Sequence, residues 1–161
     1  MLSEVYLGLG SNLGDRPATL ASGVDLLGRV SRRVEVSSLY ETEPSGFDGQ
    51  PPFLNAVCRI WTRLDPFQLM AAVKDIEGSV GRPRAFLNGP RPLDIDILMY
   101  GQVVMDCPGL SIPHPRMAER AFVLAPLAEI APEARHPVLK QPIRALLAQL
   151  SKASRSESAP R

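Results

Sequence analysis

The sequence predicts an α+β domain, a sheet covered by helices, on three observations. Apolar runs of strand character at Val5–Leu9, Phe53–Thr62 and Leu93–Met99 are separated by segments of helical spacing at 17–28 and 66–80. The run at Leu93–Met99 leads through Tyr100-Gly101 into an extended stretch, Gln102–Met105, and a hairpin there argues against strictly alternating parallel strands. The 161 residues, 45% hydrophobic and 22% charged, suit one globular domain with one core.

Each element has a local cause. Val5–Leu9 ends at Gly8-Leu9-Gly10-Ser11-Asn12, which reads as a tight strand exit with a structural role. Asp15 and Pro17 open a helix whose apolar residues are Leu20, Val24, Leu26 and Leu27, and Gly28 closes it. Alternation from Val34 predicts a strand reaching Tyr40. The Pro and Gly content of 43–52 forbids regular structure, and Phe53–Thr62 follows as a strand. Asp65-Pro66 sets an N-cap and a first-turn proline, and Leu69, Met70, Val73 and Ile76 carry the helix to about Val80. A second irregular loop, 81–92, bears arginines. After Leu93–Met99 come a turn at Pro113-His114-Pro115, a mainly helical stretch from Met117 to Ile130, and a short helix at Ile143–Leu150. The expected domain is therefore 1–150, with 151–161 a polar, frayed tail.

Composition excludes several classes. A formal charge of +1 supplies neither a nucleic-acid-binding arm nor an acidic tail, although 15 of the 18 basic residues are Arg. Cys58 and Cys107 make no disulfide framework. No leader-like start or long apolar run is present, so a cytoplasmic protein without membrane contact is expected. Phosphate-binding G-x-x-x-x-G-K-[ST] and dinucleotide G-x-G-x-x-G patterns are missing, and Ser11 and Ser111 lack the surroundings of an activated nucleophile.

The chemistry concentrates at Leu93–Met99. A strand period of two sends Leu93, Ile95, Ile97 and Met99 to one face and Asp94 and Asp96 to the other, about 6.6 Å apart. Neighbouring carboxylates repel unless a cation sits between them, and Mg²⁺ suits carboxylates shared with substrate phosphates. Asp-x-Asp alone is also the polar face of an ordinary strand. Arg82, Arg84 and Arg91 upstream, with His114 and Arg120 downstream, turn the balance toward metal-assisted phosphoryl transfer, since guanidinium forks grip phosphate oxygens.

Five ordered segments closely resemble one family: Gly10-Ser11-Asn12-Leu13-Gly14, Ser38 to Pro44, Phe53-Leu54-Asn55-Ala56, Gly89 to Ile97, and Ile112-Pro113-His114-Pro115 through Arg120 to Leu127. The chain is similar there to the 6-hydroxymethyl-7,8-dihydropterin pyrophosphokinases. The resemblance implies a ferredoxin-like three-layer sandwich, its mostly antiparallel central sheet covered by helices. It implies transfer of pyrophosphate from ATP, the co-substrate, to the hydroxymethyl oxygen of the pterin, giving AMP, within folate biosynthesis. Two Mg²⁺ ions would be held by Asp94 and Asp96, and Arg82, Arg84 and Arg91 would join these acids in catalysis. The pterin site would comprise Thr42, Pro44, Phe53, Asn55 and Phe122. The nucleotide site would comprise Lys74, Glu77, Arg82, Arg84, Arg91, Ile97, Ser111, His114 and Arg120. Loops 43–52 and 81–92 become lids that exclude water. A monomer acting on small molecules, without nucleic acid, is expected.

The chain departs from the family at Leu87-Asn88-Gly89-Pro90-Arg91, where many members carry Arg-Trp-Gly-Pro-Arg, so an aromatic seal is missing at Asn88 unless Phe86 replaces it in part. Pro115 stands where an aromatic often follows the histidine, and Gly109 where a basic residue can occur. Two other readings remain open: a nucleotide- or RNA-binding module on a ferredoxin-like sheet without catalysis, and a catalytically silent scaffold. The first predicts a basic stripe with exposed aromatics, against which stand the two acids of the strand.

Overall fold

The computed structural model describes residues 1–42, 52–80 and 92–158. In chain order these form β1 (Ser3–Ser11), α1 (Arg16–Gly28), β2 (Arg33–Val36), β3 (Tyr40–Thr42), β4 (Phe53–Thr62), α2 (Pro66–Ser79), β5 (Asp94–Tyr100), β6 (Met105–Cys107), β7 (Leu110–Ile112), α3 (Ala121–Ile130) and α4 (Ile143–Ser158). A 3-10 turn, Met117–Glu119, precedes α3. The main sheet runs β2-β4-β1-β5, with β3 also paired to β4, and every pairing is antiparallel. The run β1-α1-β2-β4-α2-β5 in this order is the ferredoxin-like βαββαβ arrangement.

The sheet separates two cores, which makes the sandwich three layers deep. On one face Leu20 and Leu27 of α1 and Leu69, Val73 and Ile76 of α2 pack on Val5, Leu7, Leu9, Ile95 and Ile97. On the other, Val123, Leu124 and Leu127 of α3 and Ile143 and Leu146 of α4 cover Tyr6, Val57, Leu98 and Met99. Both first-layer helices begin as the sequence dictates. The Asp15 carboxylate accepts from Ala18 N at 3.2 Å, and Asp65 and Gln68 form a reciprocal capping box at 2.8 and 2.9 Å. Gly23 lets α1 approach the sheet, for a Cβ there would stand 2.9 Å from Leu93 Cδ2.

The structure corrects several expectations. β1 does not exit at Gly8 but continues to Ser11, because Gly8 and Gly10 both hold paired positions between β4 and β5. The strand expected from Val34 to Tyr40 is broken: Ser37 Oγ accepts from Val57 N at 2.9 Å, taking a ladder partner from the backbone and splitting β2 from β3. Met99 does not share a face with Ile97. A register shift between Tyr6 and Leu7 pairs Tyr6 with Met99 and Leu7 with Ile97, so Leu98 is an inserted residue and both Leu98 and Met99 face α3.

Gln102–Met105 does not pair with β5. Gly101, at φ +53°, and a turn bond from Val103 N to Tyr100 O divert the chain, and β6 pairs with β7 in a separate ribbon. The stretch from Met117 to Ile130 is interrupted at Arg120, which is extended. Helix α4 passes the expected end at Leu150 and runs on to Ser158 through a stretch free of Gly and Pro. Among the described residues no helix is long and apolar enough to cross a membrane.

Candidate active site

The register of three strands lays out the floor of the site. Gly10 pairs with Asp94 on β5 and with Asn55 on β4, and Gly8 pairs with Asp96 and Val57. Two side-chain-free positions thus lie between the acids and the residues of β4. The period of two keeps Asp94 and Asp96 exposed while Ile95 and Ile97 are buried behind them. Above this floor α3 and the turn before it close a cavity of about 580 Å³, lined among others by Thr42, Phe53, Asn55, Asp94, Asp96, Arg120 and Phe122. That volume suits a small molecule.

Phe53, Asn55 and Phe122 all line this cavity. Asn55 is 6% exposed, and its Nδ2 donates to Thr42 Oγ1 at 2.8 Å, which fixes the amide with its Oδ1 on the side of Gly10. Phe53 stands on the same face of β4 as Asn55. Phe122, 37% exposed at the start of α3, supplies a second aromatic surface, with the Arg120 guanidinium 5.6 Å from its ring centre.

The acids divide this pocket from the outer edge of β5, where further side chains gather. Ile95 N donates outward to Glu77 Oε2 at 2.7 Å, and Lys74 Nζ lies 3.4 Å from Glu77 Oε1. His114 N donates to Leu98 O at 2.8 Å, which ties the Pro113–Pro115 turn to the same strand. Ile97 has its side chain in the core, but it shares the parity of Ile95, so its backbone polar groups face this edge. β7 lies beside β5 as well, carrying Ser111, whose hydroxyl donates to Asp106 Oδ1 at 2.7 Å.

Burial holds His114 below the ordinary histidine value, opposed by the Asp96 carboxylate and reinforced by Arg120 and Arg116. Its Nδ1 accepts from Arg116 N at 3.2 Å, so the neutral ring carries its proton on Nε2.

Thr42, Phe53, Asn55, Asp94, Asp96, Arg120 and Phe122 therefore share one cavity, while Lys74, Glu77, Ile97, Ser111 and His114 are not among its lining residues. Pro44, Arg82, Arg84 and Arg91, and both proposed lids apart from their last residues, lie outside the described residues. Gly8, Gly10, Arg116 and Glu119 also line the cavity and were not among the expected site residues. For the glycines a signal existed: alternate positions of an apolar strand share a face, so Gly8-Leu9-Gly10 spells a bare strip. Arg116 and Glu119 follow from the 3-10 turn, which periodicity does not disclose.

Among the described residues no three His, Cys, Asp or Glu side chains cluster for a metal. Two exposed carboxylates on one face of a strand fit a hard cation that completes its shell with water and phosphate oxygens.

Comparison with known proteins identifies the family. The family model described as 7,8-dihydro-6-hydroxymethylpterin-pyrophosphokinase (HPPK) matches residues 6–132. The 2-amino-4-hydroxy-6-hydroxymethyldihydropteridine pyrophosphokinase of Bacillus subtilis is 46% identical over 132 residues, covering 81% of this chain and 79% of that protein. Its namesake from Pseudomonas aeruginosa is 43% identical over 139 residues, covering 85% and 86%. Folic acid synthesis protein fol1 of Schizosaccharomyces pombe is 42% identical over 147 residues; the match takes in 90% of this chain but spans only 20% of fol1. In fold alone, the chain superposes on the wild-type HPPK-DHPS of Plasmodium falciparum with a TM-score of 0.82 at 16% identity, covering 98% of this chain and 46% of that one. With the family match extending through the glycine strip, both acids and the Arg120–Phe122 turn, the chain belongs to the 7,8-dihydro-6-hydroxymethylpterin-pyrophosphokinase family.

Proposed function

We propose that this diphosphotransferase moves the pyrophosphoryl group of ATP to the hydroxymethyl oxygen of 6-hydroxymethyl-7,8-dihydropterin and releases AMP. The observation that carries the reading is the position of Asp94 and Asp96, on one strand between an aromatic-lined pocket and an edge flanked by Lys74, Ser111 and His114. Two substrates on either side of one pair of acids is the arrangement group transfer requires.

Asp94 and Asp96 would hold Mg²⁺, two ions in this reading. Such ions, when bound, neutralise phosphate charge and orient reacting oxygens. The protein's own groups do the rest. Phe53 and Phe122 take the faces of the pterin, and Asn55, held by Thr42, reads its polar edge. Pro44 belongs to the same proposed pocket on sequence grounds.

His114 offers Nε2–H, and Arg120 its guanidinium, to phosphate oxygens near Asp96. Arg82, Arg84 and Arg91 are proposed to grip the transferring group, and the outward backbone of Ile97 with Ser111, Lys74 and Glu77 to border the nucleotide. Little covalent chemistry is asked of the chain; alignment and exclusion of water carry the rate.

The test is to incubate the protein with ATP, Mg²⁺ and 6-hydroxymethyl-7,8-dihydropterin and to separate the nucleotides. AMP is expected, and ADP alone would refute pyrophosphoryl transfer. In Asp96→Ala, turnover is expected to fall by more than about a hundredfold, while the pterin still binds; near-normal turnover would remove the metal role.

A further inference from the structure

Arg16 stands where a helix has least use for a cation. It is the first residue of α1, directly after the N-cap Asp15, and the positive end of the helix dipole favours anions there. Its partners lie outside the helix. Nη1 donates to Pro52 O at 2.8 Å, and Nη2 lies 3.5 Å from Glu41 Oε2. The Arg16 side chain is 25% exposed and that of Glu41 54%, so the charge-assisted bond to the carbonyl is the stronger tie and the ion pair the weaker.

Pro52 leads directly into Phe53, the first residue of β4. Phe53 pairs with Thr42 of β3, but the ladder between β1 and β4 stops at Ser11 and Leu54, short of it. Its ring lines the cavity, and Cδ1 lies 3.7 Å from where a Cβ on Gly10 would stand. We propose that Arg16 is a positioning residue of the ring pocket, holding the entry of β4 where the ladder ends so that Phe53 keeps its ring face presented to the pterin. The inference rests on the pterin reading above. Arg16 is not among the cavity-lining residues, so it acts through Phe53. Fixing that face before the ring arrives lowers the ordering cost of binding and leaves the phosphate chemistry at Asp94 and Asp96 untouched.

Steady-state kinetics of three variants test this. Arg16→Ala is expected to raise the KM for pterin about tenfold, while the KM for ATP stays within about twofold and turnover at saturation of both substrates within about threefold. A tie that served stability alone would lower the thermal midpoint without this split. Arg16→Lys keeps a cationic donor for Pro52 O and should bring the pterin KM back to within about threefold of wild type. Glu41→Gln removes only the exposed ion pair and should leave the pterin KM within about twofold.

A pterin KM unmoved in Arg16→Ala would overturn the inference, as would equal rises in both KM values or a loss confined to turnover. So would a loss in Glu41→Gln as large as that in Arg16→Ala, since the ion pair and not the carbonyl would then hold the strand. An Arg16→Ala chain that does not fold would make Arg16 a requirement of the fold and overturn it as well. Absence of AMP from the wild-type protein would remove the pterin reading itself, and this inference with it; AMP from the wild type with an unmoved pterin KM in Arg16→Ala removes the inference alone.

Discussion

At the scale of the residue, Glu77 illustrates how one buried carboxylate holds the acids' strand. β5 ends the sheet, so its outward amides need partners from elsewhere. Glu77, 4% exposed, accepts from Ile95 N, the amide between Asp94 and Asp96 in sequence. Glu77→Ala should cost about 1–3 kcal/mol by stranding that amide, read as a lower urea midpoint, and should lower turnover more than it weakens pterin binding. Glu77→Gln keeps an acceptor and should recover much of the stability; no recovery would mean that charge, not the bond to β5, is what matters. Neither role is written in the helix periodicity around Glu77, because period identifies a face and not the group met there. Asp94 and Asp96, in contrast, were legible, since two acids alternating with aliphatics on a strand must share its open face.

At the scale of the element, the local signals that worked are caps and alternation: Asp15, Asp65 and the apolar face of 66–79 place both first-layer helices. What failed was register. The inserted Leu98 is invisible in an apolar run, because Leu, Ile and Met satisfy either face, and only pairing with Tyr6 decides it. The same holds for β6, whose partner is chosen by the turn at Gly101 and not by its own three residues. A further device at this scale is Glu129 of α3, which accepts from Ser38 N at 2.8 Å, Ser38 Oγ at 3.0 Å and Tyr40 OH at 2.6 Å. It fastens β3, and with it Thr42, to the helix that carries Phe122. The Tyr40 bond, then those from Ser38, hold the Glu129 carboxyl below its ordinary 4.5, so its contribution is present above that pH and is lost as the pH falls through the lower folded value. Glu129→Ala should cost only about 1 kcal/mol of stability, because the carboxylate is exposed, yet it should raise the KM for pterin by letting Thr42 and Asn55 move. An unchanged KM in steady-state kinetics would separate the clamp from the site.

At the scale of the whole molecule, the site sits on the α3 side of the sheet, where Gly8 and Gly10 leave strand backbone bare to the cavity. Stability therefore rests on elements away from it, and one of these responds to pH. His136, 5% exposed in the segment joining α3 to α4, accepts through Nδ1 from Val138 N at 3.2 Å and Leu139 N at 3.0 Å. Burial holds it below the ordinary value of 6.5, and burial acts in the same sense on His114. Between the lower folded value and 6.5 the unfolded chain binds more protons than the folded one, so stability must rise with pH across that window and level off above it. Thermal midpoints measured from about pH 5 to 7.5 should climb, with the acid loss of Glu129 lying lower still. His136→Asn isolates the cause, since the asparagine oxygen can accept from the same amides but does not titrate. Its midpoint should vary less over this range than that of the wild type, the remaining slope belonging to His114. A variant whose midpoint falls as steeply as the wild type's would show that the α3–α4 segment takes no part in the acid response.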